Sequence, residues 1–126
     1  MTHEIPNNIY REHLIELYKS PSNYGTFENV KGIKKATGTN ANCGDEITME
    51  LFVEKGIIKD VRFNGSGCVM SIVSASMLTD KIKGLSLEDV KSLDREDVLK
   101  LMKVKLSPAR IKCALLPLEA LRKVLK

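Results

Sequence analysis

Between residues 47 and 64 the chain switches sides at every residue. Ile47, Met49, Leu51 and Val53 alternate with Thr48, Glu50, Phe52 and Glu54, the period of a strand with one face on a core. Lys55-Gly56 then suits a tight turn, and Ile57 to Asn64 runs back as a second strand; the pair predicts an antiparallel hairpin. Lys34 to Thr39 reads as a short third strand. From Cys68 the period changes. Val69, Ile72, Val73, Ser76 and Met77 share one helical face, and Gly84 is placed as the C′ residue.

Helical signals flank this strand block. Ile9, His13, Leu14 and Leu17 predict an amphipathic helix over 8–19, stopped by the turn chemistry of Ser20-Pro21-Ser22-Asn23-Tyr24-Gly25. Ser86 with Asp89 three residues on resembles a capping box, and Asp94 caps a helix over 95–104. Ser107-Pro108 could open the last helix, but Pro117 would then lie nine residues in, against the carbonyl of Cys113 and without an amide to donate. The last helix is therefore expected over 113–125, with Leu118, Leu121, Val124 and Leu125 on the core. Helix, two or three antiparallel strands, then helices define an α+β fold with helices packed on a small sheet.

The 126 residues suit one domain spanning 1–126, large enough to bury its own core. No apolar run approaches the ~20 residues that span a bilayer, and MTHEIPNNIY has no basic patch followed by an apolar stretch. A cytoplasmic protein with reduced thiols and no membrane partner is expected. Residues 81–126 hold 12 basic and 6 acidic side chains, or +6, which suits a surface for an acidic partner. All six aromatics precede Asn64. The basic half thus has no stacking platform, and nucleic-acid binding is not expected.

Cys43, Cys68 and Cys113, at spacings of 25 and 45 residues, cannot all pair, so they form no disulfide scaffold. They are either unrelated core thiols or a convergent set. Cys43 lies in the turn Asn42-Cys43-Gly44-Asp45, Cys68 follows Asn64-Gly65-Ser66-Gly67 at a helix start, and Cys113 is expected to begin the last helix. Helix N-termini favour thiolate, the form that binds metal or attacks sulfur. Asp45, two residues past Cys43, adds an oxygen; three sulfurs and one oxygen make a tetrahedral set for zinc or iron. Without a CxxC pair the spacing is no zinc-finger signature. His3 and His13 are not expected to be ligands.

Several motifs, in order along nearly the whole chain, resemble the IscU/SufU/NifU-N iron–sulfur assembly scaffolds. They are Ile9-Tyr10-Arg11 through Tyr18-Lys19-Ser20-Pro21 with Asn23-Tyr24-Gly25; Asn42-Cys43-Gly44-Asp45; Ile58 to Phe63 followed by Gly65-Ser66-Gly67-Cys68; the serine-rich run with Ser71 and Ser74-Ala75-Ser76-Met77; and Arg110-Ile111-Lys112-Cys113-Ala114. The resemblance implies a three-stranded antiparallel sheet packed against about five helices. It implies ligands at Cys43, Asp45, Cys68 and Cys113 for a [2Fe–2S] cluster or Zn2+, with Cys113 as candidate persulfide acceptor. It implies a cysteine desulfurase as sulfur donor, apo iron–sulfur proteins as recipients, and a homodimer when cluster-bound. Lys112 stands where IscU-type scaffolds carry histidine, as in the SufU branch; the 45-residue gap from Cys68 to Cys113 lacks the insertion usual in that branch, as in IscU. Leu106-Ser107-Pro108-Ala109-Arg110 only partly matches the chaperone motif of IscU. Arg110 is a candidate to hold Asp45 or an incoming persulfide, or a plain surface residue.

Overall fold

The computed structural model describes residues 7–40, 44–103 and 105–126, side chains 7–11 excepted; Cys43 and His3 lie outside the described residues. The elements run α1 (Asn7–Lys19), β1 (Lys34–Asn40), β2 (Asp45–Glu54), β3 (Ile57–Ser66), α2 (Val69–Ile82), α3 (Leu87–Lys91), α4 (Arg95–Met102) and α5 (Pro108–Val124). The sheet is antiparallel in the order β1-β2-β3. This is the expected α+β layout of three strands and five helices.

The alternation in β2 does what its period requires. Ile47, Met49 and Leu51 are fully buried, and Met49 faces Phe63 and Leu51 faces Val61 across the β2–β3 ladder. A register shift at Phe52/Val53 then pairs Val53 with Ile58, keeping the apolar residues on one face despite an odd residue. α5 packs on β1 and β2, and α2 lies on β3 and α5. Gly38 of β1 lets α5 sit close: a Cβ there would come 3.2 Å from the Ala120 amide and 3.3 Å from the Leu116 carbonyl oxygen. A second cluster, Leu14, Val73 and Met102, joins α1, α2 and α4. His13 on α1 is exposed.

The other sheet face departs from simple alternation at Glu50, which is 3% exposed. The segment after α1 crosses over it. Thr26 Oγ1 and the Phe27 amide donate to Glu50 Oε1, and Asn64 Nδ2 donates to Oε2 at 2.7 Å. The same segment runs parallel beside β3, with the Phe63 amide donating to Asn23 O and the Gly25 amide to Phe63 O. Tyr24 packs edge-on against Phe63 with its hydroxyl on Gly65 O. The turn residues expected to stop α1 thus also clamp β3.

The caps at Ser86 and Asp94 form as expected: Ser86 Oγ accepts from the Asp89 amide, and Asp94 and Asp97 make a full reciprocal box. α4 ends at Met102 rather than 104, because Lys103 turns left-handed at φ 53°. The larger correction is α5. It starts at Pro108, not 113, with Ser107 Oγ accepting from the Arg110 amide and Pro108 in the first turn. Pro117 lies inside it. The helix continues because the Cys113 carbonyl, which has no amide to accept from at Pro117, accepts instead from the Ser71 hydroxyl of α2 at 3.0 Å. Ser74 Oγ donates likewise to Ala114 O.

Candidate metal centre

Asp45, Cys68 and Cys113 come from three different elements. Asp45 is the first residue of β2, paired with Asn40 across the ladder and 5% exposed. Gly44 before it adopts φ 71°, a left-handed turn that closes through its amide onto Asn40 O. Cys68 is the N-cap of α2, with φ −70° and ψ 169°, and is half-buried. Cys113 lies in the second turn of α5, 3% exposed. One carboxylate oxygen of Asp45 and the two sulfurs lie within 4.8 Å of one another.

The placement of Cys68 matches its sequence signal and that of Cys113 does not. At the head of α2, burial pushes the Cys68 thiol up. The Ser71 amide, the Cys113 thiol, the Ser71 hydroxyl and the Met70 amide outweigh it and hold the thiol below its usual range. Cys113 is not at a helix start, because α5 begins five residues earlier; its approach to Cys68 follows from the packing of α5 on α2 rather than from the helix dipole. The glycine before Cys68 is needed for a reason nearer than a ligand. A Cβ on Gly67 would sit 3.2 Å from Asp45 Cγ and 3.1 Å from Ser71 Cβ, so the loop lies directly on the carboxylate. Arg110 and Lys112 are exposed. Among the described residues Ser71 contacts Asp45, its hydroxyl donating to Oδ2 at 2.8 Å. By sequence Ser71 was named only within the serine-rich run and given no part in the site; the one hint was the Pro117 ring, which leaves a carbonyl in need of a donor without saying which.

Beside the Gly65–Cys68 loop lies a hollow of about 490 Å³ bounded by Tyr18, Pro21, Tyr24, Gly67 and Ile72, and Tyr18 and Tyr24 are nearly half exposed. Among the described residues no helix is long and apolar enough to cross a membrane.

Two soft sulfurs and a hard carboxylate oxygen, gathered at the meeting of a strand and two helices, form a donor group that could hold a metal ion on an α+β frame. The chain belongs to the family described as NifU-like N terminal domain, whose model matches residues 9–126, a family of iron–sulfur cluster assembly scaffolds that includes IscU and SufU. It is 34% identical to the iron–sulfur cluster assembly scaffold protein IscU of Thermotoga maritima, over 94% of this chain and 93% of the relative. It is 33% identical to the zinc-dependent sulfurtransferase SufU of Bacillus subtilis, over 93% of this chain and 89% of the relative. Its fold matches a crystal structure from Fervidobacterium islandicum described as a scaffold protein for the SUF system, with TM-score 0.76, 29% identity, and 97% of this chain and 100% of the other covered.

Proposed function

We propose that this chain receives sulfur from a cysteine desulfurase, assembles it with iron as a [2Fe–2S] cluster on Cys43, Asp45, Cys68 and Cys113, and passes the cluster to apo-proteins. The observation that carries this reading is the mixed donor set, in which the Asp45 carboxylate shares a site of 4.8 Å with two sulfurs. A carboxylate matches sulfide-bridged iron less well than a thiolate does, so it leaves one corner of the cargo open to exchange. Sulfur enters by persulfide exchange. A site thiolate attacks the outer sulfur of the donor's persulfide, the donor S–S bond breaks, and the donor cysteine leaves as thiolate. Cys113 is the acceptor in this reading, and the hollow beside Tyr18 and Tyr24 offers the approach past half-buried Cys68. Iron and reducing equivalents come from outside the chain.

A second reading is a zinc-dependent sulfurtransferase. The compactness of the donors favours it. A tetrahedral zinc with ~2.3 Å bonds spaces its sulfurs about 3.8 Å apart, whereas a two-iron cluster spreads its ligands over both irons. Lys112 in place of a histidine points the same way, since an ammonium is no ligand. Anaerobic purification separates the two: brown protein containing iron and sulfide supports the scaffold, and colourless protein with one zinc supports the sulfurtransferase. Full metal content after Cys43→Ser, Cys68→Ser or Cys113→Ser would remove that cysteine from either site.

A further inference from the structure

Ser71 is fully buried. Its hydroxyl oxygen lies 2.8 Å from Asp45 Oδ2, 3.0 Å from the Cys113 carbonyl oxygen and 3.8 Å from Cys68 Sγ. A serine hydroxyl has one proton to give, and here at least two acceptors require it. One acceptor exists only because of Pro117: with an amide at 117, the Cys113 carbonyl would bond within α5. The third residue of α2 is thereby tied to the strand that carries Asp45 and to the helix that carries Cys113. Glycine at 67 leaves the room this arrangement needs: a Cβ there would come 3.2 Å from Asp45 Cγ and 3.1 Å from Ser71 Cβ.

Granting the ligand reading above, we propose that Ser71 is a positioning residue for the metal centre. Its hydroxyl holds Asp45 Oδ2, leaving Oδ1 as the single oxygen offered to the metal. Pro117, by withholding an amide, leaves the Cys113 carbonyl as a second acceptor that shares the one Ser71 proton with Asp45. A carboxylate fixed in this way binds through one oxygen and leaves the remaining positions of the metal to the thiolates. A loose one could chelate with both oxygens and crowd out a thiolate.

The test uses zinc affinity by chelator competition and the visible spectrum of the cobalt-substituted protein. Loss of an outer-shell partner typically weakens metal binding 10–100-fold, and Ser71→Ala is expected to fall in that range, with altered cobalt d–d bands. Ser71→Thr, which keeps the hydroxyl, should recover most of the affinity and the original bands. If Ser71 acts through Asp45, adding Ser71→Ala to Asp45→Ala should change affinity less than about twofold further, because coupled sites are non-additive. Pro117→Ala, which keeps hydroxyl and carboxylate while giving Cys113 its own amide partner, should bind zinc no more weakly than the parent. Unchanged affinity and bands in Ser71→Ala overturn the proposal, as does an equal loss in the Asp45→Ala background. Undiminished zinc binding in both Cys68→Ser and Cys113→Ser would instead overturn the ligand reading beneath it.

Discussion

At the scale of single residues, space and charge around the centre make separate demands. An added methyl at Gly67 meets Asp45 and Ser71 at distances that require one of them to move. Gly67→Ala is expected to cost about 1–3 kcal/mol of stability and to weaken zinc binding in the same variant. Denaturant unfolding of the metal-free protein measures the first and chelator competition the second; a stability loss with unchanged affinity would assign Gly67 to packing alone. Asp60 tests electrostatics away from the site. Burial pushes its carboxyl up, but the Val61 amide, Arg62 at 2.8 Å and Lys83 at 3.4 Å hold it below the usual value. A depressed folded-state pKa stabilises the fold above the unfolded value, about 3.9, and the contribution is lost as pH falls through the lower folded value. For a pair one-third exposed it is worth about 0.5 kcal/mol. Asp60→Asn should therefore be slightly less stable than the parent at pH 7, and the gap should close in acid. A gap that widens in acid would contradict the assignment. Asp45 and Cys68 were legible as candidate donors because a glycine turn and a helix start mark them. The burial of Ser71 beside them, and of Glu50 on the other sheet face, was not, because each depends on a partner distant in sequence: Ser71 on the Cys113 turn, 42 residues on, and Glu50 on Thr26, 24 residues back.

At the scale of elements, the hairpin and α2 followed from period alone, since a strand with one wet face and a helix with one dry face each repeat visibly. α5 did not. The rule that a proline ends a helix holds when the carbonyl four residues back finds no other donor; here Ser71 supplies one, and nothing local to residues 107–117 announces it. The start of α5 is open to measurement. Ser107→Ala removes the oxygen that accepts the Arg110 amide and should cost about 1 kcal/mol in denaturant unfolding. A helix starting at Cys113 would leave that substitution without effect.

At the scale of the whole molecule, the donors join β2, α2 and α5, while the main core lies elsewhere, around Met49, Phe63, Leu78 and Leu121. A bound metal should therefore add stability without creating the fold. At a free concentration a thousand times its dissociation constant it contributes about 4 kcal/mol. Chelation should lower the melting temperature and leave the helical circular dichroism in place. Collapse of that signal on chelation would make the centre a structural staple rather than a holder of cargo.

The segment lying along β3 has a consequence for association. A sheet normally ends in rows of unpaired amides and carbonyls that invite another chain. Here one border is taken up by Asn23 and Gly25. At the other, Lys34 and Lys35 stand exposed and Lys123 donates to the Thr37 carbonyl. Among the described residues both borders of the sheet are thus partly covered or charged, which disfavours strand addition. On the function proposed above, docking is expected instead at the end where Gly67, Cys68 and the two exposed tyrosines gather, so that recognition and chemistry would share one address on the surface.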